Sequence, residues 1–167
     1  MNRMILALVI SGLAVTSAKA DAPLVRQWDA TVMTRVLQSL GSTDIKTGDF
    51  NGRPAITART RDGLNVGLYA KGCDPAVDAT PPVCHGLEGV ISYDASQKPN
   101  RAVLVDQLNH DYALGKFMAE SDGMIRASRY FLLDGGVSEE NLRSELNGYF
   151  AVGALAARTL WPEPAAR

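Results

Sequence analysis

Two tight-turn signals between short alternating segments constrain the fold of this chain more than any other feature of its sequence. Asn51-Gly52 separates Ile45–Phe50 from Ala55–Arg61, and Asp62-Gly63 separates that second segment from Leu64–Ala70. Asn-Gly and Asp-Gly readily adopt the left-handed backbone conformations of a two-residue hairpin, and the flanking segments alternate between apolar and polar residues. The pattern predicts three antiparallel strands joined in order as a meander.

Three further strands are predicted after the meander. Leu87–Tyr93 has strand composition, and a second hairpin joins Leu114–Ser121 to Met124–Leu133 through Asp122-Gly123. Between the meander and Leu87, residues 72–84 carry three prolines and no regular period, which indicates a loop.

Helical periodicity appears on both sides of these strands. The first predicted helix begins at the N-cap Asp29 and ends at Gly41. The last begins at the N-cap Ser138, carries two glutamates in its first turn, where the helix dipole favours acids, and runs to about Leu160.

A second helix is predicted over Asn100–Asn109, with Val103, Leu104 and Leu108 on its apolar side. The element order is therefore α-β-β-β-β-α-β-β-α. Strands joined mostly by hairpins, with helices outside the meander, predict an α+β fold in which an antiparallel sheet packs with three helices.

The first twenty residues have the layout of a secretory signal peptide. A positive start at Arg3 is followed by an apolar stretch, Met4–Val15, and by the small-residue exit Ala18-Lys19-Ala20. Cleavage is predicted between Ala20 and Asp21. The apolar stretch is shorter than the roughly 20 residues that span a bilayer, so we expect no stable membrane span after cleavage.

These features divide the chain into a signal peptide, residues 1–20, and a single domain, residues 21–167. The expected location is the bacterial periplasm, with secretion into the medium as the alternative. Loss of Arg3 and Lys19 would leave 15 basic and 18 acidic residues, a formal net charge of −3. Nucleic-acid binders concentrate basic residues, so a nucleic-acid partner is not expected. We expect a protein partner or self-association, and the sequence identifies no small-molecule ligand.

Cys73 and Cys84 are the only cysteines, and they bracket the proline-containing loop. An even cysteine count in an exported chain predicts a disulfide. A redox pair would normally have its cysteines two residues apart, and a zinc site would need two ligands beyond these cysteines, of which the adjacent His85 supplies at most one.

No catalytic, cofactor-binding or metal-binding residues are predicted. His85 and His110 are the only histidines, and neither lies in a recognisable nucleophile or metal-ligand motif. Two alternatives stay open. One is a small periplasmic hydrolase that uses His85 or His110 with nearby acids, and the other is a sensor with a pocket of roughly 300 Å³ or more between sheet and helix.

The last helix carries a run of small and apolar residues. Leu142, Leu146, Tyr149 and Phe150 are predicted to face inward, whereas residues 148–157 are apolar on every side. Such a helix is either enclosed by its own domain or meets a partner. Small residues that would allow close helix approach are Gly148, Ala151, Gly153, Ala154 and Ala157. We predict a possible interaction surface at Gly148, Ala151, Ala154 and Ala157.

The second half of the chain resembles YbjN-domain proteins, which are described as regulators of bacterial sensory transduction. The residues that carry this resemblance are Leu108-Asn109-His110-Asp111, Lys116-Phe117, Asp122-Gly123 and Gly135-Gly136-Val137-Ser138-Glu139-Glu140-Asn141-Leu142. The resemblance covers roughly Val32–Leu160 and is strongest over Leu108–Leu146. It implies a fold similar to that of type III secretion chaperones, which often dimerise, and it implies no established chemistry.

One family feature is incomplete in this chain. Members often have two asparagines that flank a tryptophan at the end of the second helix, and the matching positions here are Asp106, Leu108 and Asn109. Only the last is kept. The sequence as a whole predicts a disulfide-containing, non-enzymatic binding or accessory domain. We expect it to act by protein association, through its last helix or a sheet face, in stress or signalling regulation.

Overall fold

The computed structural model describes residues 23–75 and 82–162. The predicted signal peptide, with its cleavage site between Ala20 and Asp21, lies outside the described residues. The elements in chain order are β1 (Leu24–Val25), α1 (Ala30–Ser39), β2 (Thr43–Phe50), β3 (Arg53–Arg59), β4 (Asn65–Cys73), β5 (Cys84–Asp94), α2 (Arg101–Asp111), β6 (Lys116–Ala119), β7 (Met124–Leu132), β8 (Val137–Ser138) and α3 (Glu139–Leu160).

Six strands form one antiparallel sheet in the order β2-β3-β4-β5-β7-β6, and β1 pairs with β8 in a separate small sheet. The α+β class, the three helices and the predicted order of the main elements are confirmed. The small sheet was not predicted, because strands of two residues are too short to show a period.

The meander is confirmed at its first turn. Asn51 and Gly52 have φ angles of 55° and 76°, the left-handed conformations that bring β2 and β3 together as a hairpin. The Asp49 carboxylate accepts a hydrogen bond of 2.7 Å from the Gly52 amide and stabilises the turn.

The helix ends follow the capping residues of the sequence. The Asp29 carboxylate accepts hydrogen bonds from the amides of Thr31 and Val32 at the start of α1. The Ser138 hydroxyl accepts one from the Asn141 amide at the start of α3. These contacts satisfy backbone donors that have no partner within the helix.

The core lies between one face of the six-stranded sheet and the helices. Alternate strand residues such as Leu68, Ile91 and Ile125 are fully buried against α1 and α3, and Tyr149 of α3 lies among them. The Tyr149 hydroxyl shares its one proton between carbonyls of two neighbouring strands, at 3.0 Å to Gly89 and 2.7 Å to Ala127. The last helix is therefore fixed directly to the centre of the sheet.

The predicted apolar side of α2 was partly wrong. Leu108 is fully buried and Leu104 packs on the core, but Val103 is 64% exposed and Val105 lies inward instead. The main neighbours of α2 are β6 and α3, and the helix buries a narrow stripe toward them. Val103 and Val105 lie on opposite sides of Leu104, so contact with these neighbours decides which of the two valines is buried.

Within the described ranges, we find no helix that is both long and apolar enough to cross a membrane.

Candidate functional site on the open face of the sheet

The helices pack on one face of the six-stranded sheet, and no described element packs on the other. We call this second face the open face. Because side chains alternate along strands, the register places every second residue there. Its larger side chains are Lys46, Phe50, Arg53, Arg59, Tyr69, Lys71, Glu88, Val90, Asp94, Lys116, Met118, Met124, Arg126, Tyr130 and Leu132.

Three large apolar side chains of the open face are exposed to solvent. Phe50 is 56% exposed, Tyr130 52% and Leu132 59%. Leu132 and Tyr130 are successive open-face residues of β7. Single exposed apolar residues are normal on a protein surface, but several on one uncovered face are typical of an interaction site.

Two tyrosine rings of the open face lie across glycines. A methyl group built on Gly67 would lie 2.5 Å from the Tyr69 hydroxyl, and one built on Gly86 would overlap the Tyr130 hydroxyl. The glycines therefore leave room for both rings to lie flat against the sheet. This close approach explains why Gly67 and Gly86 are buried although they face the uncovered side.

A cleft of about 650 Å³ crosses the open face. It begins at the β2–β3 hairpin, where the rings of Phe50 and Tyr69 lie 5.1 Å apart at an angle of 56°. It ends at Arg126 on β7. Its lining residues are Phe50, Asn51, Arg53, Tyr69, Ala70, Lys71, Glu88, Val90, Ser92 and Arg126.

The charges of the cleft differ in how they are compensated. Lys71 forms a 2.7 Å ion pair with Glu88. Arg126 contacts Asp122 at 2.6 Å and Glu120 at 3.6 Å, and the hydrogen bond to Asp122 raises the pKa of Arg126. Within the described ranges, no carboxylate forms an ion pair with the exposed Arg53.

The open face is more basic than the chain as a whole. It carries six cationic side chains against three carboxylates, although the full sequence has a formal net charge of −1. The carboxylates are Glu88 and Asp94 of β5, and Asp44, which lines a smaller pocket on the same face. Basic residues are thus concentrated on the face that no helix covers. The sequence analysis did not predict this concentration of basic residues on one face. It depends on the register of five strand pairs, which no local motif reveals.

The two cysteines form a disulfide between β4 and β5. Cys73 and Cys84 are directly opposite partners in the strand register, and the bond closes the base of the loop between these strands. Its position agrees with a structural role, because it joins strands that are already paired.

The histidines lie on different elements, each beside aspartate. At the start of β5, His85 Nε2 lies 3.1 Å from Asp74 Oδ2, and His85 Nδ1 lies 2.9 Å from Asp134 Oδ1. The hydrogen bond to Asp74 is the main reason that the pKa of His85 is raised, and the nearby Asp134 carboxylate raises it further. His110, at the end of α2, is 87% exposed and contacts Asp111. Neither histidine lines the cleft of the open face.

A metal site is not apparent in the part of the chain that the structure describes, where no group of three or more His, Cys, Asp or Glu side chains is arranged to hold an ion. The large cleft also lies on the open face, not between sheet and helices, where the sensor alternative would place its ligand.

The small residues of α3 have different environments. Ala151 is exposed, Gly148, Ala154 and Ala157 are partly buried, and Gly153 is buried. The Tyr93 hydroxyl donates a 3.0 Å hydrogen bond to the Gly153 carbonyl, so Gly153 belongs to the core contact with the sheet. The interaction surface at Gly148, Ala151, Ala154 and Ala157 stays a prediction.

Comparison with known proteins gives one match. No curated protein matches the chain. No solved structure matches it either, so the similarity to type III secretion chaperones stays a prediction. Residues 86–151 match the model of the YbjN family, whose description is "Putative bacterial sensory transduction regulator". The matched segment contains α2, β6, β7 and nearly all of β5, and over residues 86–151 the resemblance to the YbjN family is therefore confirmed.

Proposed function

We propose that this protein is an exported, non-enzymatic binding protein that acts in the bacterial periplasm by associating with another protein through the open face. The observation that carries this proposal is the cleft, which combines the exposed Phe50 and the half-buried Tyr69 with cations on a face that no described element covers. The description of the YbjN family fits a regulatory role without catalysis.

The chemistry of the cleft supports binding more than catalysis. Its lining offers apolar rings and guanidinium or ammonium groups, which provide contact area and charge recognition. The hydrolase alternative needs a histidine and a carboxylate at a shared pocket. His85 and His110 have their aspartate contacts away from the cleft, so this alternative gains no support from the geometry.

The periplasmic location rests on the sequence. The first twenty residues have the composition of a cleavable leader, and the two cysteines are paired, which is compatible with an oxidising compartment.

Site-specific photocrosslinking in the producing bacterium tests the proposed function. A benzophenone amino acid would replace Phe50 or Tyr130 on the open face, Leu155 on the outer surface of α3, or Val103 on α2 as an exposed apolar control. We expect one defined protein adduct from Phe50 and Tyr130 and none from Val103, with the partner or a second copy identified by mass spectrometry. Adducts from Leu155 alone would move the interface to the last helix. Absence of adducts from the open face would contradict the proposal.

A further inference from the structure

The cleft of the open face has one uncompensated positive charge at a defined place. Lys71 is paired with Glu88, and Arg126 is held by Asp122 and Glu120. Arg53 is exposed and has no carboxylate partner among the described side chains. A ligand that enters the cleft therefore meets one free guanidinium group.

The surroundings of Arg53 add an apolar requirement. Phe50 is its directly opposite partner in the β2–β3 register, and the Phe50 ring packs against Tyr69. A guanidinium group forms paired hydrogen bonds with a carboxylate, and the adjacent rings favour an apolar side chain. The arginine favours a carboxylate and the neighbouring rings favour an apolar group. The matching ligand therefore has an acidic residue next to a large apolar one.

The reach of the cleft fits a short stretch of extended chain. From Phe50 on β2 to Arg126 on β7 it crosses four strand-to-strand steps of the sheet. At about 4.8 Å for each step this is roughly 19 Å, which about six residues of extended backbone would span.

The same charges argue against a polyanion as the ligand. Nucleic acids and anionic lipid surfaces bind through several free cations in one area. Within the cleft, two of the three lining cations already contact carboxylates of their own chain. The other open-face cations, Lys46, Arg59 and Lys116, lie outside the cleft lining, so a ligand in the cleft meets one free arginine, which a single carboxylate matches.

Building on the proposed function, on which it rests, we infer that the partner presents an extended protein segment with one carboxylate next to a large apolar side chain. Arg53 binds the carboxylate, and Phe50 with Tyr69 contacts the apolar group. Arg53 is thus the residue that determines which segment is accepted.

Peptide titration tests this inference on the isotope-labelled protein, expressed from its full sequence. The probes are a pool of synthetic peptides of about six residues, with Asp or Glu next to Phe or Leu, and a matched pool with Asn or Gln in place of the acids. Binding is followed by the amide NMR signals of the cleft. We expect the acidic pool to shift the signals of Phe50, Tyr69 and Glu88 and to bind about tenfold more tightly than the amide pool, as a charge-assisted hydrogen bond predicts.

Variants assign the effect to Arg53. Arg53→Gln should weaken the acidic pool about tenfold, and Arg53→Lys should restore only part of the affinity because it lacks the planar fork. Arg143→Gln, at an exposed position of α3, makes the same change in net charge and should bind like the wild type.

The other outcomes overturn the inference in distinguishable ways. Equal binding of both pools, unchanged binding by Arg53→Gln, or equal shifts from inorganic phosphate or anionic vesicles would each contradict it. If neither pool shifts the cleft while crosslinking from Phe50 succeeds, the inferred partner chemistry is wrong and the proposed function stands. If crosslinking fails as well, both fall.

Discussion

Asn109 lies in the last turn of α2 and binds the edge strand beside that helix. Its side-chain amide donates a 3.0 Å hydrogen bond to the Phe117 carbonyl, and its side-chain oxygen accepts a 2.8 Å bond from the Phe117 amide. One side chain thereby satisfies both backbone groups of a residue in the edge strand β6, as a neighbouring strand would. The sequence placed Asn109 at a family position, but its partner is eight residues away, across a turn whose geometry no motif specifies.

Replacement of Asn109 with Ala should lower the free energy of unfolding by about 1–3 kcal/mol, because both backbone groups of Phe117 lose their partner. Urea unfolding measures the change, and faster hydrogen exchange of the Phe117 amide would locate it. Gln107→Ala, at an exposed position of the same helix, is the control and should have little effect. Equal stability of the two variants would show that water replaces the Asn109 contacts without cost.

His85 should make the free energy of unfolding fall as the pH rises. Its pKa is raised above the ordinary value of 6.5, chiefly by the hydrogen bond to Asp74, so the folded state binds this proton more tightly than the unfolded state does. The stabilisation is complete below about pH 6.5 and is lost as the pH rises through the higher folded pKa.

The variant His85→Gln should therefore lose part of the decline in stability that the wild type shows as the pH rises above about 6.5. Urea unfolding midpoints from about pH 6 upward measure the difference between the variant and the wild type. If the stability of His85→Gln declined like that of the wild type, the Asp74 and Asp134 contacts of His85 would have no role in solution.

At the level of elements, regular strands and capped helices were predictable and contacts between distant elements were not. The hairpin at Asn51-Gly52 and the cap at Ser138 each depend on a few adjacent residues, so the sequence specifies them directly. The open-face cleft joins side chains of five strands and depends on register, which the sequence determines only through the whole fold. The predicted buried side of α2 was partly wrong for the same reason, because contact with β6 determines which residues of this short helix are buried.

Two glycines of α3 should respond to alanine in opposite directions. A methyl group at Gly153 would lie 2.5 Å from the Ile91 side chain, whereas one at Gly148 would make an ordinary 3.7 Å contact with Leu114. Gly153→Ala should lower the free energy of unfolding by about 1–3 kcal/mol through overpacking. Gly148→Ala should raise it by about 0.5–1 kcal/mol, because alanine favours the helix. Thermal or urea unfolding of the pair measures both, and a stabilising Gly153→Ala would contradict the described packing of α3 on β5.

At the scale of the whole molecule, the segment before α1 is fastened to distant parts of the fold. Strand β1 pairs with β8, Arg26 donates a 3.1 Å hydrogen bond to the Gly135 carbonyl, and the Trp28 amide donates one of 2.7 Å to the Cys84 carbonyl. Cleavage after Ala20 would leave three residues before β1, so the leader and the folded domain would meet with almost no linker.

We expect the exported protein to begin at Asp21, as the leader proposed from the sequence requires. Intact-mass measurement of the periplasmic fraction checks this, with an Ala20→Leu variant as the control that should accumulate uncleaved because cleavage sites need small residues. A mature mass that includes residues 1–20 would contradict the predicted leader.

The disulfide should stabilise this domain, but the domain should not need it to reach its fold. The Cys73→Ser, Cys84→Ser double variant should keep the wild-type circular dichroism spectrum, because β4 and β5 stay paired along their length. It should lose about 3 kcal/mol of unfolding free energy, the value expected for closing a short loop. A reductant should destabilise the wild type to the same extent and leave the variant unchanged. Loss of folding would instead show that the bond is needed for strand pairing.

The contact between Asn109 and Phe117 also has a consequence for assembly. It occupies the backbone groups of Phe117 at the β6 edge of the six-stranded sheet, whereas β2, among the described strands, pairs only with β3. Strand-to-strand growth into a fibre needs two receptive edges on every copy. A sheet with a single receptive edge can join one other copy in this way, after which no edge is left to extend. We therefore expect strand-to-strand association through β2 to stop at pairs, and opening the β6 edge through Asn109 should remove that limit.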